Sequence, residues 1–376
     1  MNGDDEVLVT GGSGFLGAHC IVQLLEADYR VRTTVRSAER EADVRALVAA
    51  GGVDPGARLS IVTANLMSSE GWADAAAGCT FVLHTAAPSP LTEPDNPNTV
   101  VAPTRDGTIR VLRAARDAGA RRVVFTSSFG AVGYGTPATK GVAESGAANG
   151  TAANDAENAR AEANPASSAG RLYDETDWSS TKGELGAGIW AKTLAERAAW
   201  QFMAAEGGDL ELAVINPVSM FGPLLGPRLP TSVATLKNLL NGTIAALPNA
   251  SLSAVDVRDV AELHLLAMTN PEASGERFLA STGSPLTYLQ IAELLKSRLG
   301  DDAKKVSTRR LPDWMAWIAS PFSPEIGAIL PQLGPPKRVS NAKAKRMLGW
   351  APRTNVEAIL ACAESLIDRG LITTRA

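Results

Sequence analysis

The chain has 376 residues, 45% apolar and 20% charged, with 36 basic against 40 acidic side chains and a net charge of −4. This is the composition of a globular protein long enough for one large and one smaller domain, and it excludes a chain whose main work is gripping nucleic acid or an anionic membrane. The cysteines (Cys20, Cys79, Cys362) and histidines (His19, His84, His264) are scattered, so neither a disulfide framework nor a metal site is expected. The opening residues lack the basic start and apolar run of a signal peptide, and no segment approaches the roughly 20 apolar residues of a membrane span, so a cytoplasmic protein is expected.

The first strand signal, Val7-Leu8-Val9-Thr10, leads into a helical pattern from Phe15 to Ala27. Tyr29 to Val35, Leu59 to Thr63, Phe81 to His84 and Arg122 to Thr126 read as further strands, with helices over Ala42 to Ala50 and Arg105 to Ala118. This alternation predicts a doubly wound α/β fold, a parallel sheet with helices on both faces. Regularity lapses over 136–170, where Ala, Gly, Asn, Ser and acidic residues dominate. That low-complexity insertion reads as a solvated surface segment, or alternatively as a lid over a substrate pocket. Beyond it, Trp190 to Glu206 predicts a helix, Leu212 to Ile215 a strand, and Val260 to Met268 a helix entered through Asp259. Prolines and isolated helices become commoner after Pro223.

The first strand runs directly into Gly11-Gly12-Ser13-Gly14-Phe15-Leu16-Gly17. Glycines at 11, 14 and 17 let the backbone turn tightly, approach a pyrophosphate and pack the following helix on the sheet. The helix N-terminus then offers free N–H groups to the anion. The second strand ends in Thr33-Thr34-Val35-Arg36, without the acid that would bind a ribose 2′-hydroxyl. Arg36 is suited to a 2′-phosphate, which points to NADP.

These motifs, with Val123 to Ser128, Lys192 to Trp200 and Ile215-Asn216-Pro217, resemble the extended short-chain dehydrogenases/reductases. Within that superfamily the chain is similar to the dihydroflavonol 4-reductase, cinnamoyl-CoA reductase and microbial aldehyde reductase group. Tyr173 to Trp178, Val255 to Ala261 and Lys345 to Trp350 look like further landmarks of that group. The resemblance implies a Rossmann domain over 1–222 carrying the 136–170 insertion. A smaller, mainly substrate-binding domain would occupy 223–376, with 251–282 returning to the first. It implies that Gly11, Ser13, Gly14, Phe15, Leu16 and Gly17 surround the pyrophosphate and that Arg36 meets the 2′-phosphate. Asn65 and Leu66 would flank the adenine, Thr85, Ala86 and Ala87 would line the path to the nicotinamide ribose, and Pro217 to Met220, including Ser219, would flank the nicotinamide. A small-molecule substrate and a homodimer are compatible with it.

The family reduces carbonyls with a Ser, a Tyr and a Lys, the Tyr four residues before the Lys on one helix face. The resemblance assigns Ser128 and Lys192 to this set, but Gly188 stands where the phenol belongs, and no tyrosine lies between Tyr173 and Tyr288. Tyr134 is the remaining nearby phenol. Three explanations stand open: a working reductase whose proton comes from Ser128, Lys192 or a water in the space left by glycine; an NADP-binding sensor or scaffold; or a laboratory substitution at Gly188. A nucleotide-sugar epimerase or dehydratase is the remaining alternative. Large apolar side chains at Trp314, Met315, Trp317, Ile318 and Phe322 are candidates for the substrate wall, as are Trp190 and the turn from Met220 to Pro223. Such a wall would suit an apolar or aromatic substrate.

Overall fold

The computed structural model describes residues 5–88, 96–135, 171–181, 186–320, 323, 326–327 and 333–372. The 136–170 insertion, Pro321 and Phe322 lie outside these residues. The strands are β1 (Glu6–Thr10), β2 (Arg30–Val35), β3 (Leu59–Thr63), β4 (Phe81–His84), β5 (Arg122–Thr126), β6 (Leu172–Tyr173), β7 (Glu211–Pro217), β8 (Ser219–Phe221), β9 (Leu247–Pro248), β10 (Ser251–Asp256), β11 (Arg277–Ala280) and β12 (Thr282–Thr287). Seven of them form a sheet in the order β11-β7-β5-β4-β1-β2-β3. Every pairing in that sheet is parallel.

Successive residues of these strands point into different cores, as the two-residue pleat requires. Val7, Val9, Leu83, Val124, Ala213 and Ile215 join one buried cluster. Leu8, Val82, Val123, Phe125, Leu212 and Val214 join the other. The helices around them are α1 (Phe15–Glu26), α2 (Glu41–Ala50), α3 (Trp72–Ala76), α4 (Asn98–Asp117), α5 (Ala187–Glu206), α6 (Thr231–Leu240) and α7 (Val257–Thr269). Cys20, Ile21 and Leu24 of α1 and Val260, Leu263 and Ala267 of α7 close the first core. Val111, Leu112 and Ala115 of α4 and Ala195, Ala199 and Phe202 of α5 close the second. The sheet is therefore doubly wound, as its strand pattern predicts.

A third core gathers α6, α8 (Tyr288–Leu299) and the last helix, Asn355–Asp368, around Leu236, Leu240, Ile291, Leu295, Ile359 and Leu366. It rests on the small sheet β12-β10-β8. The chain leaves the large sheet between β7 and β8 and re-enters it at β11, one residue before β12. Val218 N donates to Ala280 O at 3.1 Å across these crossings. They bring residues of both parts to the carboxyl ends of the strands. There the strand order reverses about β1, where a doubly wound sheet opens a crevice.

Two helix starts differ from the sequence reading. Helix α4 begins at Asn98 and passes through the buried Pro103. That proline forgoes one backbone hydrogen bond near the helix start, a loss that α4's packing tolerates. Helix α7 begins at Val257, because Asp256 rather than Asp259 caps it, its Oδ1 accepting from Arg258 N at 2.9 Å. Asp259 instead holds the C-terminal segment, accepting from Trp350 Nε1 at 2.9 Å and from Arg353 N at 2.7 Å.

Arg122 is fully buried at the start of β5. Its guanidinium meets Glu211 at 2.5 Å and donates to the carbonyls of Ala267, Met268 and Asn270 at the end of α7. Replacing Arg122 by alanine leaves these acceptors without their donor. The expected loss is about 3–5 kcal/mol of stability, read from urea unfolding. A loss below about 1 kcal/mol would show that water takes over the acceptors.

Candidate active site

The glycine loop is shaped by close approach. Gly11 has φ of +74°, and a Cβ there would come within 3.0 Å of the Ala86 backbone. A Cβ on Gly17 would lie 2.5 Å from Gly11 O. Gly12, which the sequence reading left outside the triplet, is as tightly constrained. Its Cβ would fall 2.2 Å from Thr33 Oγ1, while its own N–H donates to that oxygen at 3.1 Å. Gly14 caps α1 without a side chain, so the N–H groups of the first turn, around Phe15 and Leu16, stay available to an anion. Ser13 and Gly14 line a cavity of about 380 Å³ that also touches Arg40 and Arg228.

Arg36 is exposed just beyond β2. Beyond the neighbouring strand β3, on the same flank of the sheet, Asn65 closes its own turn, Oδ1 accepting from Met67 N at 3.0 Å. The Leu66 side chain packs against Gly107, where a Cβ would lie 2.8 Å from it. Past β4, Thr85 Oγ1 donates to Thr10 O at 2.7 Å and Ala86 N donates to Thr10 Oγ1 at 3.1 Å. Ala87 follows, half-buried. The loop and the strand ends that resemblance assigns to the nucleotide are thus knitted together through Thr10. His84 bonds Thr10 Oγ1 at 2.8 Å, and burial, helped by the charge of Lys192, lowers its pKa to about 3. It is a neutral, structural imidazole.

Ser128 follows the end of β5, and Lys192 binds the last residue of that strand. Ser128 caps the short turn Phe129–Ala131, its Oγ accepting from Gly130 N at 3.0 Å. That turn packs on the start of α5: a Cβ on Gly130 would lie 3.3 Å from Ser128 Oγ and 3.5 Å from Ile189 Cα. Lys192 Nζ donates to Thr126 O at 2.7 Å and stands 5.4 Å from the centre of the Phe125 ring. Burial lowers its pKa to about 8, against the opposing pull of Glu196. Gly188 lies one turn before Lys192 on the same helix, exposed, and a Cβ there would meet no atom within 4 Å. The space beside Gly188 is open.

The four tyrosines are engaged elsewhere in the fold. Tyr134 packs edge-on against Phe129 and carries Lys337 Nζ 3.5 Å over its ring, and burial pushes its pKa up to about 12. Tyr173 also packs against Phe129, with the Arg171 guanidinium 4.8 Å over its ring. Tyr29 and Tyr288 are buried in the first and third cores.

Beneath the site lies a polar network that the sequence reading did not single out. Glu196, fully buried on α5 one turn after Lys192, accepts from Ser127 Oγ at 2.5 Å and from Asn216 Nδ2 at 2.7 Å. Its other oxygen is 2.6 Å from Arg277 Nε. Asn216 also donates to Ser128 O at 3.2 Å, so the strand end preceding Pro217 is tied directly to the serine turn. Ser219 follows in β8, where it pairs with Ala254 of β10. Arg277 in turn lies 3.9 Å over the Trp178 ring and donates to the carbonyls of Glu175 and Asp177. The segment Tyr173 to Trp178 is thereby clamped to α5.

A family model described as the NAD dependent epimerase/dehydratase family matches residues 7–152. Cinnamoyl-CoA reductase CAD2 of Medicago truncatula is 34% identical over 295 residues, covering 77% of this chain and 79% of that protein. The dihydroflavonol 4-reductase of Zea mays is 32% identical over 302 residues, covering 78% and 74%. The chain belongs to the extended short-chain dehydrogenase/reductase family, a family of oxidoreductases. In fold it is similar to yeast methylglyoxal/isovaleraldehyde reductase Gre2, solved with NADPH, at a TM-score of 0.72 and 22% identity over 98% of this chain and all of that one. Alfalfa vestitone reductase shares the fold at a TM-score of 0.66 and 23% identity, covering 98% and 99%.

One expectation about the substrate wall is corrected by burial. Phe221 belongs to the third core, and Gly222 packs on Asp256, where a Cβ would lie 2.9 Å from Oδ1, so the 220–223 segment is mainly framework. In the helix Asp313–Ala319, Ala316 is buried while Trp314, Met315, Trp317 and Ile318 are exposed. Among the described residues no cluster of three or more His, Cys, Asp or Glu side chains could hold a metal, and no helix is long and apolar enough to cross a membrane.

Glu196→Gln keeps the shape but removes the charge facing Arg277. The variant should lose about 3–5 kcal/mol of stability. Because Glu196 raises the pKa of Lys192, the variant should also titrate that amine below about 8, followed through pH-dependent acylation of Lys192. An unchanged Lys192 titration would separate Glu196 from the site.

Proposed function

We propose that the chain is an NADP-dependent reductase or dehydrogenase that interconverts an aldehyde or ketone with its alcohol, with a proton route altered by Gly188. The observation that carries this reading is Lys192 Nζ bound to Thr126 O, two residues before Ser128 at the end of β5, in a sheet whose first turn is a glycine loop open to an anion. The residues present fit a dinucleotide. The loop admits no side chain at Gly11, Gly12 or Gly17, the first turn of α1 has no side-chain cap, and arginines stand at its mouth. Gly11, Ser13, Gly14, Phe15, Leu16 and Gly17 would hold the pyrophosphate, Arg36 the 2′-phosphate, and Asn65 and Leu66 the adenine. Thr85, Ala86, Ala87, Lys192, Pro217 and Ser219 would hold the nicotinamide riboside. The division of labour follows: residues 1–222 hold the cofactor and 223–376 mainly the substrate, with 251–282 supporting the first part.

When bound, the nicotinamide supplies the hydride, and the protein must supply a proton and hold the carbonyl. Ser128 can donate its hydroxyl hydrogen toward a carbonyl oxygen and so fix its direction. Lys192 is an ammonium at neutral pH with a pKa of about 8, which suits a proton donor working near that pH. In this route a water in the open space beside Gly188 relays the proton from the ammonium to the oxygen, and it needs two or more polar partners there. The small-molecule substrate is an aldehyde or ketone; the exposed Trp314, Met315, Trp317 and Ile318 favour an apolar or aromatic one.

The same opening at Gly188 supports a second reading, in which the chain binds NADP but turns over poorly, since loss of a positioned acid removes about 10²–10⁴-fold in rate. Titration of NADPH and NADH, followed by NADPH oxidation with a panel of aldehydes and ketones, separates the two. The wild-type chain should oxidise NADPH, and Gly188→Tyr should change the rate by restoring or obstructing the route. Tight NADPH binding with no turnover in the wild-type chain, rescued by tyrosine, would establish the impaired reading. Preference for a nucleotide sugar would contradict both.

Protonation of Lys192 gives a further expectation. Its ammonium is lost as pH rises through about 8, so carbonyl reduction should fall above that pH. A flat pH profile across that range, or full activity of Lys192→Met, would place the proton elsewhere.

A further inference from the structure

Three arginines approach the mouth of the glycine loop from two parts of the chain. Arg36 follows β2, Arg40 directly precedes α2, and Arg228 stands in the connection between β8 and α6. Arg40 and Arg228 both line the cavity floored by Ser13 and Gly14. Arg40 is held by Asp43 at 3.2 Å. Arg36 and Arg228, by contrast, have no hydrogen bond or ion pair among the described residues. Burial and the charges of Arg40 and Arg36 lower the pKa of Arg228 against the opposing pull of Asp43, which is itself bound to Arg40, so three cations share one acidic neighbour.

The connection that carries Arg228 is fixed in place. A Cβ on Gly226 would come 2.3 Å from Leu47 Cδ2 of α2, so the backbone lies directly on that helix. Leu224 N donates to Ser365 Oγ at 2.9 Å, and Pro223 O bonds His19 Nε2 of α1 at 3.0 Å. Unpaired cations held this close repel one another, and a bound anion removes that repulsion. A phosphate dianion presents enough oxygens to engage more than one guanidinium, each with a charge-assisted bond.

Building on the NADP reading above, we infer that Arg228 is a specificity-determining residue for the cofactor, joining Arg36 and Arg40 around the 2′-phosphate from the opposite side of the crevice. The dinucleotide is then gripped by both parts of the chain, and NADH, without the phosphate, leaves the cluster uncompensated.

The test is binding rather than turnover. Dissociation constants for NADPH, NADH, 2′,5′-ADP and 5′-ADP are measured calorimetrically for the wild-type chain, Arg228→Ala and Arg228→Lys, with thermal melts as a check on folding. Arg228→Ala should weaken NADPH and 2′,5′-ADP about tenfold, with a shallower salt dependence, and leave NADH and 5′-ADP within about twofold. Arg228→Lys should fall between, because it keeps the charge but not the fork. Unchanged NADPH affinity, or equal weakening of NADPH and NADH, would overturn the role of Arg228 while leaving NADP preference intact. A wild-type chain that binds NADH as tightly as NADPH would overturn the preference and this inference together.

Discussion

The carboxylate of Glu196 is the constraint on which the site depends. A buried charge costs several kcal/mol to remove from water and is tolerated only when its partners surround it. Here those partners come from three places: Ser127 beyond β5, Asn216 in β7 and Arg277 in β11. Satisfying one carboxylate therefore fixes α5 against three adjacent strands of the large sheet. Lys192 sits one turn earlier on α5, so its ammonium reaches Thr126 O only while this network holds. Ser128 is secured by the same members, because Asn216 donates to its carbonyl.

The nucleotide side is built on different physics. Its shape comes from atoms that are missing: side chains cannot be accommodated at Gly11, Gly12 and Gly17, and none is present at Gly14 to cap α1. Its charge comes from arginines of which only Arg40 has an ion-pair partner among the described residues. The proposed catalytic side combines both themes, with Ser128 and Lys192 held at the end of β5 and open space beside Gly188 on the same helix as Lys192. A rigid underside and an open upper face are what a changed proton route requires: the donor must stay fixed while water enters beside it.

Much of this was legible in the chain. Alternating apolar runs show the parallel sheet, since each buried strand residue must face one of two cores. The junction of β1, glycine loop and α1 is local, so its spacing is visible, and Lys192 is located by a contiguous run of matching residues. What escaped reading depended on distance along the chain or on competition between similar signals. The pairing of Glu196 with Arg277 joins residues from separate elements, and a lone acid four residues after a lysine resembles any helix-face pair. Arg228 looks like an ordinary loop arginine until folding carries it to α2. Asp256 and Asp259 are both acids near a helix start, and only the end of β10 decides between them. The reading from Arg105 missed the first turns of α4, which pass through Pro103, because near a helix start a proline costs little. Gly12 was passed over because the triplet spacing does not include it; its need arises from Thr33 on the neighbouring strand.

The most direct measurement follows the hydride itself. NADPH carrying deuterium at the transferable position of the nicotinamide is incubated with the protein and a mixture of aliphatic and aromatic aldehydes, and the alcohols are analysed by mass spectrometry. The account predicts one deuterium on the former carbonyl carbon of at least one product, lost when Lys192 is replaced by methionine. Bound NADPH with no labelled alcohol from any aldehyde or ketone would contradict it.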